Sequence, residues 1–354
     1  MRTVCAQAAC RALGPALAIG GVAVFGVPAG VGAQSASIPT QSGGTVVAAA
    51  VELTAGASAA DWRPPRTAWG APDLQGVWDY RTLTPLQRPQ EFAGKETLTA
   101  EEAAAYEARQ SALLDDYDRA PSVHAKWWLD YGRDLTDDRR TSLLVAPPDG
   151  RLPAVTDEAR RRAAARAERR RAHPDHAVED RGLTERCLTF GMPRLPGAYN
   201  NNVQILQTPT HVAIVNEMIH DARIVPLDGR PHLSDAVPQW HGDSRGYYEG
   251  DTLVVETVNF SPKSAFRGST AGLHLVERFT RVGPNTVHYA VTLSDPATWT
   301  RDWTALVPMT KTDQALYEYA CHEGNHGLRN ILHNARYAED PDYASKLSLP
   351  APRQ

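Results

Sequence analysis

NVQILQTPTHVAIVNEMIHDARIVPL, residues 202–227, carries three short runs rich in β-branched residues. All three are short and β-branched, the composition of strands. Thr208-Pro209 separates the first two runs, and Asp228-Gly229 closes the third. IVNEMIHDARIV admits two arrangements. If Ile219-His220-Asp221 is a hairpin loop, Glu217 faces Arg223 across the pair, as an ordinary ion pair worth up to about 1 kcal/mol. If the run is continuous, Glu217, Ile219, Asp221 and Arg223 share one face and would form a charged pocket wall. The hairpin is the reading we carry forward.

The same pattern continues downstream. DTLVVETVNF (251–260), LHLVERFTRV (273–282), NTVHYAVTL (285–293) and WTALVPMT (303–310) bring the short runs to seven. Gly250-Asp251 and Gly283-Pro284-Asn285 punctuate them. Upstream, Gly76, Trp78 and Tyr80 alternate with Gln75, Val77 and Asp79 as a first strand. Short strands joined in sequence order by tight turns predict a mainly β, antiparallel meander, either a barrel or a curved sandwich. DSRGYYEGD (243–251) has two glycines but no following helix, so it is not a phosphate loop.

A helical insertion is expected over about 99–182. Thr99 and Glu102 form a capping box for a helix reaching about Leu114. VHAKWWLDYGRDL (123–135) reads as an aromatic cover, and Pro147 to Gly150 as a turn after a strand. Thr156 caps a second helix, TDEARRRAAARAERRRAH, whose arginines read as a solvated face. The formal net charge of −4 gives no reason to expect nucleic acid as a partner.

The first 33 residues read as an export signal. Arg2 and Arg11 precede an uncharged apolar stretch from Ala12 to Ala33, and Val31-Gly32-Ala33 has the form of a cleavage site. Its glycines and prolines make it a poor membrane span, so no stable membrane insertion is expected after cleavage. Residues 34–70 read as a linker, 71–340 as one β-rich domain, and 341–354 as a tail. Cys187 and Cys321 remain in the mature chain, where an oxidising periplasm permits a disulfide.

YEYACHEGNHGL, residues 317–328, contains His-Glu-x-x-His. A zinc hydrolase of this type needs His322 and His326 one helical turn apart, with Glu323 as base. Gly324-Asn325 falls between them. Gly costs about 1 kcal/mol inside a helix, and Asn favours caps. Asn325 therefore reads as the N-cap of a helix carrying Leu328, Ile331, Leu332 and Ala335, with His322 and Glu323 on the preceding loop. A disulfide from Cys187 to Cys321 would bring that loop beside Tyr199 and Asn201. These residues, with Glu217, His220, Arg223 and Trp303, form the candidate site. The expected function is an exported small-molecule pocket protein, with no cofactor, in which His322 and Glu323 do acid–base chemistry of lyase, hydratase or isomerase type. The alternatives are a binding protein without chemistry and a zinc hydrolase.

QWHGDSRGYYEGDTLVVETVNF (239–260), VPLDGRPH before it, and LVERFTRV and YEYACHEGN after it resemble a large family of exported bacterial proteins. The likeness spans roughly Asp73 to Ala338. It implies export and no particular activity, and in that family the position of His326 is often a tyrosine, which disfavours zinc. Gly76-Val77-Trp78 is similar, more weakly, to the opening strand of lipocalin-like barrels.

Overall fold

A computed structural model of the chain describes residues 62–116, 130–175, 177–340 and 342–343. The expected signal, most of the linker, much of the aromatic cover and nearly all of the tail lie outside these residues. The described chain forms one antiparallel sheet of ten strands with three α-helices. The strands are β1 (Gly76–Asp79), β2 (Leu144–Ala146), β3 (Asn202–Gln207), β4 (His211–Asn216), β5 (Ala222–Pro226), β6 (Asp243–Glu249), β7 (Thr252–Val258), β8 (His274–Gly283), β9 (Thr286–Ser294) and β10 (Trp303–Thr312). The helices are α1 (Ala100–Asp116), α2 (Asp157–Ala172) and α3 (His326–Glu339).

Along the sheet the order is β5-β4-β3-β1-β10-β9-β8-β7-β6, with β2 added to β10. Two hairpin meanders, β3–β5 and β6–β10, are thus joined through β1. Inward side chains alternate as the period-two pattern requires: Val203 and Ile205 on β3, Val212 and Ile214 on β4, Leu275 and Phe279 on β8, Val287, Tyr289, Val291 and Leu293 on β9. All belong to one core cluster with Trp78, Trp303 and Met309. A twisted open sheet of this width must curl or split to cover an apolar face. Here it curls, and Gly246 of β6 packs so tightly on β5 that an added Cβ would lie 2.8 Å from Val225.

No ladder joins β5 to β6 among the described residues. The expectation of a barrel or sandwich therefore holds only as a mainly β, antiparallel fold: the structure is one curled sheet that does not close. β6 itself is a strand that the period-two pattern does not mark. Its polar entry Asp243-Ser244-Arg245 and its Gly246 disguise it, yet it pairs with β7 from Asp243↔Val258 to Glu249↔Thr252.

The helix caps match expectation. Thr99 Oγ1 accepts from Glu102 N at 3.2 Å while Glu102 Oε2 accepts from Thr99 N at 2.9 Å. Thr156 Oγ1 accepts from Ala159 N at 3.0 Å, and the Asn325 side chain accepts from Leu328 N. α1 packs through Ala103 and Tyr106 into a small cluster of its own with Leu98 and Leu135. Among the described residues no helix is long and apolar enough to cross a membrane.

Candidate functional site

The β4–β5 hairpin brings the first chemical groups inward. β4 ends at Asn216, and the turn Glu217–Asp221 places Ile219 (φ 59°) and His220 (φ 45°) in the left-handed region. That conformation is costly for a β-branched residue. Burial of Ile219 and Asp221, and the bond from Asn216 N to Asp221 O at 2.8 Å, hold it. The tight turn sets the register so that Arg223 lies opposite Ile214. The expected cross-strand pair of Glu217 and Arg223 therefore does not form. Glu217 instead accepts from Asn202 N and Nδ2 at 3.3 and 3.0 Å.

Arg223 points into the core and meets a residue from the other half of the sheet. Its Nη1 and Nη2 donate to Glu277 Oε2 and Oε1 at 2.6 and 2.9 Å. The two side chains are 5% and 1% exposed. Tyr289 donates its hydroxyl to Glu277 Oε1 at 2.8 Å and stacks on Phe279 with ring centroids 4.8 Å apart. Burial opposes charge on Arg223, but the Glu277 carboxylate prevails, so Arg223 holds its proton more firmly than an ordinary guanidinium. Burial, then the same carboxylate, pushes the Tyr289 phenol well above its usual range.

Beside this triad lie Tyr80, at the exit of β1, and Arg194, from the irregular segment 183–201. Burial raises the Tyr80 phenol, and Arg194 partly offsets it. Arg194 is 8% exposed and makes one weak bond, from Nη2 to Tyr80 Oη at 3.4 Å. Its Nε and Nη1, and the Nε of Arg223, are buried and have no hydrogen-bond partner among the described residues. Phe190 stacks on the Arg194 guanidinium at 4.4 Å and is itself 45% exposed. Tyr80, Arg194, Asn216, Arg223, Glu277 and Tyr289, with Val203, Ile214, Phe279 and Met309, line a small hollow of about 20 Å³.

Segment 183–201 is held on all sides. Cys187 is bonded to Cys321, with Cα atoms 5.7 Å apart. Thr189 Oγ1 donates to Asp221 Oδ2 at 2.9 Å, and Thr189 Oγ1 and His241 Nε2 are 2.6 Å apart. Asn201 accepts from Gly197 N and donates to Gly197 O and Asp130 O, so its amide is committed to the backbone.

The remaining expected site residues lie elsewhere. The disulfide does set the late loop beside the asparagine-rich segment: burial, then nearby Tyr199, raises the Tyr319 phenol, and His220 Nδ1 is 3.1 Å from Tyr319 O. Asn200, Tyr319 and Glu323 line an outer groove of about 590 Å³. His322 and Glu323 are exposed on the turn before α3, whose first residue is His326. The two histidines therefore do not share a helical face, and the helical zinc geometry is not formed. Trp303 is fully buried, edge-on to Trp299 at 5.6 Å, as part of the core.

Glu277, Tyr289, Tyr80 and Arg194 were not among the candidates drawn from the sequence. Glu277 had a readable signal, since Leu275 and Phe279 at i±2 put it on the buried face of its strand. Arg194 had none, because irregular backbone carries no periodicity. Compared with family models and with curated proteins, the chain matches none.

Proposed function

We propose that the chain is an exported binding protein for a small, partly apolar molecule, a member of the exported family its motifs resemble, with its ligand site at the hollow on the concave face. In this reading the curled sheet serves as an unclosed barrel, and segment 183–201 covers its mouth. The observation that carries it is the buried charge. An ion pair removed from water costs several kcal/mol that mutual attraction only partly repays, and well-packed apolar residues often do as well. Arg194 adds a second buried cation with free donors. Charges and free donors converging beside apolar walls are the usual makings of a ligand site.

Binding fits this cluster better than proton transfer. Its phenols are held above their ordinary range and its carboxylate is locked between Arg223 and Tyr289. Acid–base chemistry at His322 and Glu323 is the second reading, favoured by the outer groove that Glu323 shares with Asn200 and Tyr319. A screen of small metabolites by calorimetry and product analysis tests both. Binding that is lost in Tyr80→Phe, unchanged in His322→Ala and without turnover supports the first. Turnover abolished by His322→Ala supports the second and overturns the first.

A further inference from the structure

We propose that Arg194 is the anchor of the hollow and that its ligand is a small organic acid bound through its carboxylate. This rests on the ligand site proposed above and adds the class of ligand. Arg194 is more than nine-tenths buried, yet among the described residues Nε and Nη1 have no hydrogen-bond partner and Nη2 has one long bond. Each planar edge of the guanidinium therefore keeps a free N–H, and a carboxylate matches either edge.

Neighbouring carboxylates are already engaged. Glu277 is held by both Nη atoms of Arg223 and by Tyr289. Glu217 is near enough to be felt by Tyr80, but it bonds Asn202 and forms no ion pair with Arg194. A buried cation without an anion against it is strongly disfavoured, so the site is incomplete as it stands. A hollow of about 20 Å³ has room for one water, which satisfies donors but brings no charge.

The surroundings define the rest of the ligand. The hollow admits little beyond the carboxylate, so the body of the ligand takes the place of the half-exposed Phe190 ring over Arg194, and an apolar body suits that exchange. Phe190 is the entry point. Its ring lies on the guanidinium while nearly half exposed, so it can swing aside at small cost in packing. Tyr80 keeps its proton at neutral pH and can donate to the second carboxylate oxygen. A phosphate would ask for more free donors than Arg194 and Tyr80 offer.

The test uses the full chain, with benzoate and hexanoate as probes and benzamide and hexanamide as their uncharged counterparts. Calorimetry and saturation-transfer NMR are run at fixed ionic strength. We expect both acids to bind and both amides to bind about 10- to 100-fold more weakly, the equivalent of the charge-assisted hydrogen bonds lost. R194Q should weaken acid binding by the same factor, and R161Q, which removes an exposed arginine of α2, should leave it unchanged. Equal binding of acids and amides, unaffected by R194Q, overturns the carboxylate anchor while the hollow survives as a binding site. Failure of all four probes to bind overturns the anchor, and the binding-site reading falls separately if the broader metabolite screen is also empty. Should R194Q not fold, F190W reports instead: acids and not amides should change the emission of the ring on Arg194, and unchanged emission overturns the proposal.

Discussion

Replacing Glu277 by Gln tests the central feature of the interior. The substitution keeps the volume and removes the charge, so Arg223 is left without its counterion at a position where the pair is 5% and 1% exposed. At an effective dielectric of about 20, unit charges about 4 Å apart attract by roughly 4 kcal/mol. Measured losses on breaking a buried pair are of the same size, about 3–5 kcal/mol, against about 0–1 for an exposed pair. We therefore expect E277Q to lower the unfolding free energy by about 3–5 kcal/mol. The double variant R223M/E277L removes both charges at similar volume. Its main remaining loss is the acceptor of Tyr289, about 1 kcal/mol, so it should recover most of the stability. Urea denaturation at pH 7, followed by tryptophan emission, gives both values and their coupling. A loss below about 1 kcal/mol in E277Q, or a double variant less stable than E277Q, would show that water reaches the pair and that the interior is not the closed environment described.

Three further outcomes are expected. Gly246→Ala should cost about 1–3 kcal/mol in the same assay, because the new Cβ would lie 2.8 Å from Val225 and 2.9 Å from Leu227 and push the sheet edges apart; an unchanged midpoint would mean the edges do not touch. Reduction of the disulfide between Cys187 and Cys321 should cost about 2–5 kcal/mol, since a loop of 134 residues gives a chain-entropy value near the upper end of that range; equal midpoints with and without reductant would contradict it. Burial, then the charge of Arg140, holds His288 below its ordinary pKa of 6.5. The folded state thus favours the neutral ring, so this contribution is complete above about pH 6.5 and is lost as pH falls through the lowered folded value. Between about pH 7.5 and 5, Tm should fall more in the wild type than in H288F, and parallel curves would refute the assignment.

Most of the strands were legible because short β-branched runs stand between turn residues, as in 202–207 or 285–293. The caps were legible because Thr99, Thr156 and Asn325 act locally, through bonds to residues three positions on. β6 was not, because Gly246 answers to the opposite edge of the sheet and not to its own neighbours. The partner of Arg223 was not legible for the same reason: Glu277 is 54 positions away, and only the curl of the sheet brings them together. Whether Cys187 and Cys321 pair was not legible, because sequence does not give the distance between their Cα atoms, which is 5.7 Å in the fold. Of the expected mouth of Tyr199, Asn201, His322 and Glu323, only Glu323 lines the outer groove, where Asn200 joins it.

The buried ion pair joins the two halves of the open sheet. Hydrogen bonds along a ladder would close a barrel, but β5 and β6 make none among the described residues. Arg223 belongs to β5, at one edge, and Glu277 to β8, two strands in from the other. Their doubly bonded pair therefore crosses the interior and ties β5 to β8 without a ladder. Such a bridge specifies how far the sheet curls as well as how strongly it holds, because an arginine fork tolerates little displacement. Tyr80 comes from β1, Tyr289 from β9 and Arg194 from the covering segment, so the hollow exists only at that one curvature. Loosening the bridge should open the site around Arg194 before any strand is lost, which makes the same ion pair both the clasp of the fold and the determinant of the pocket's shape.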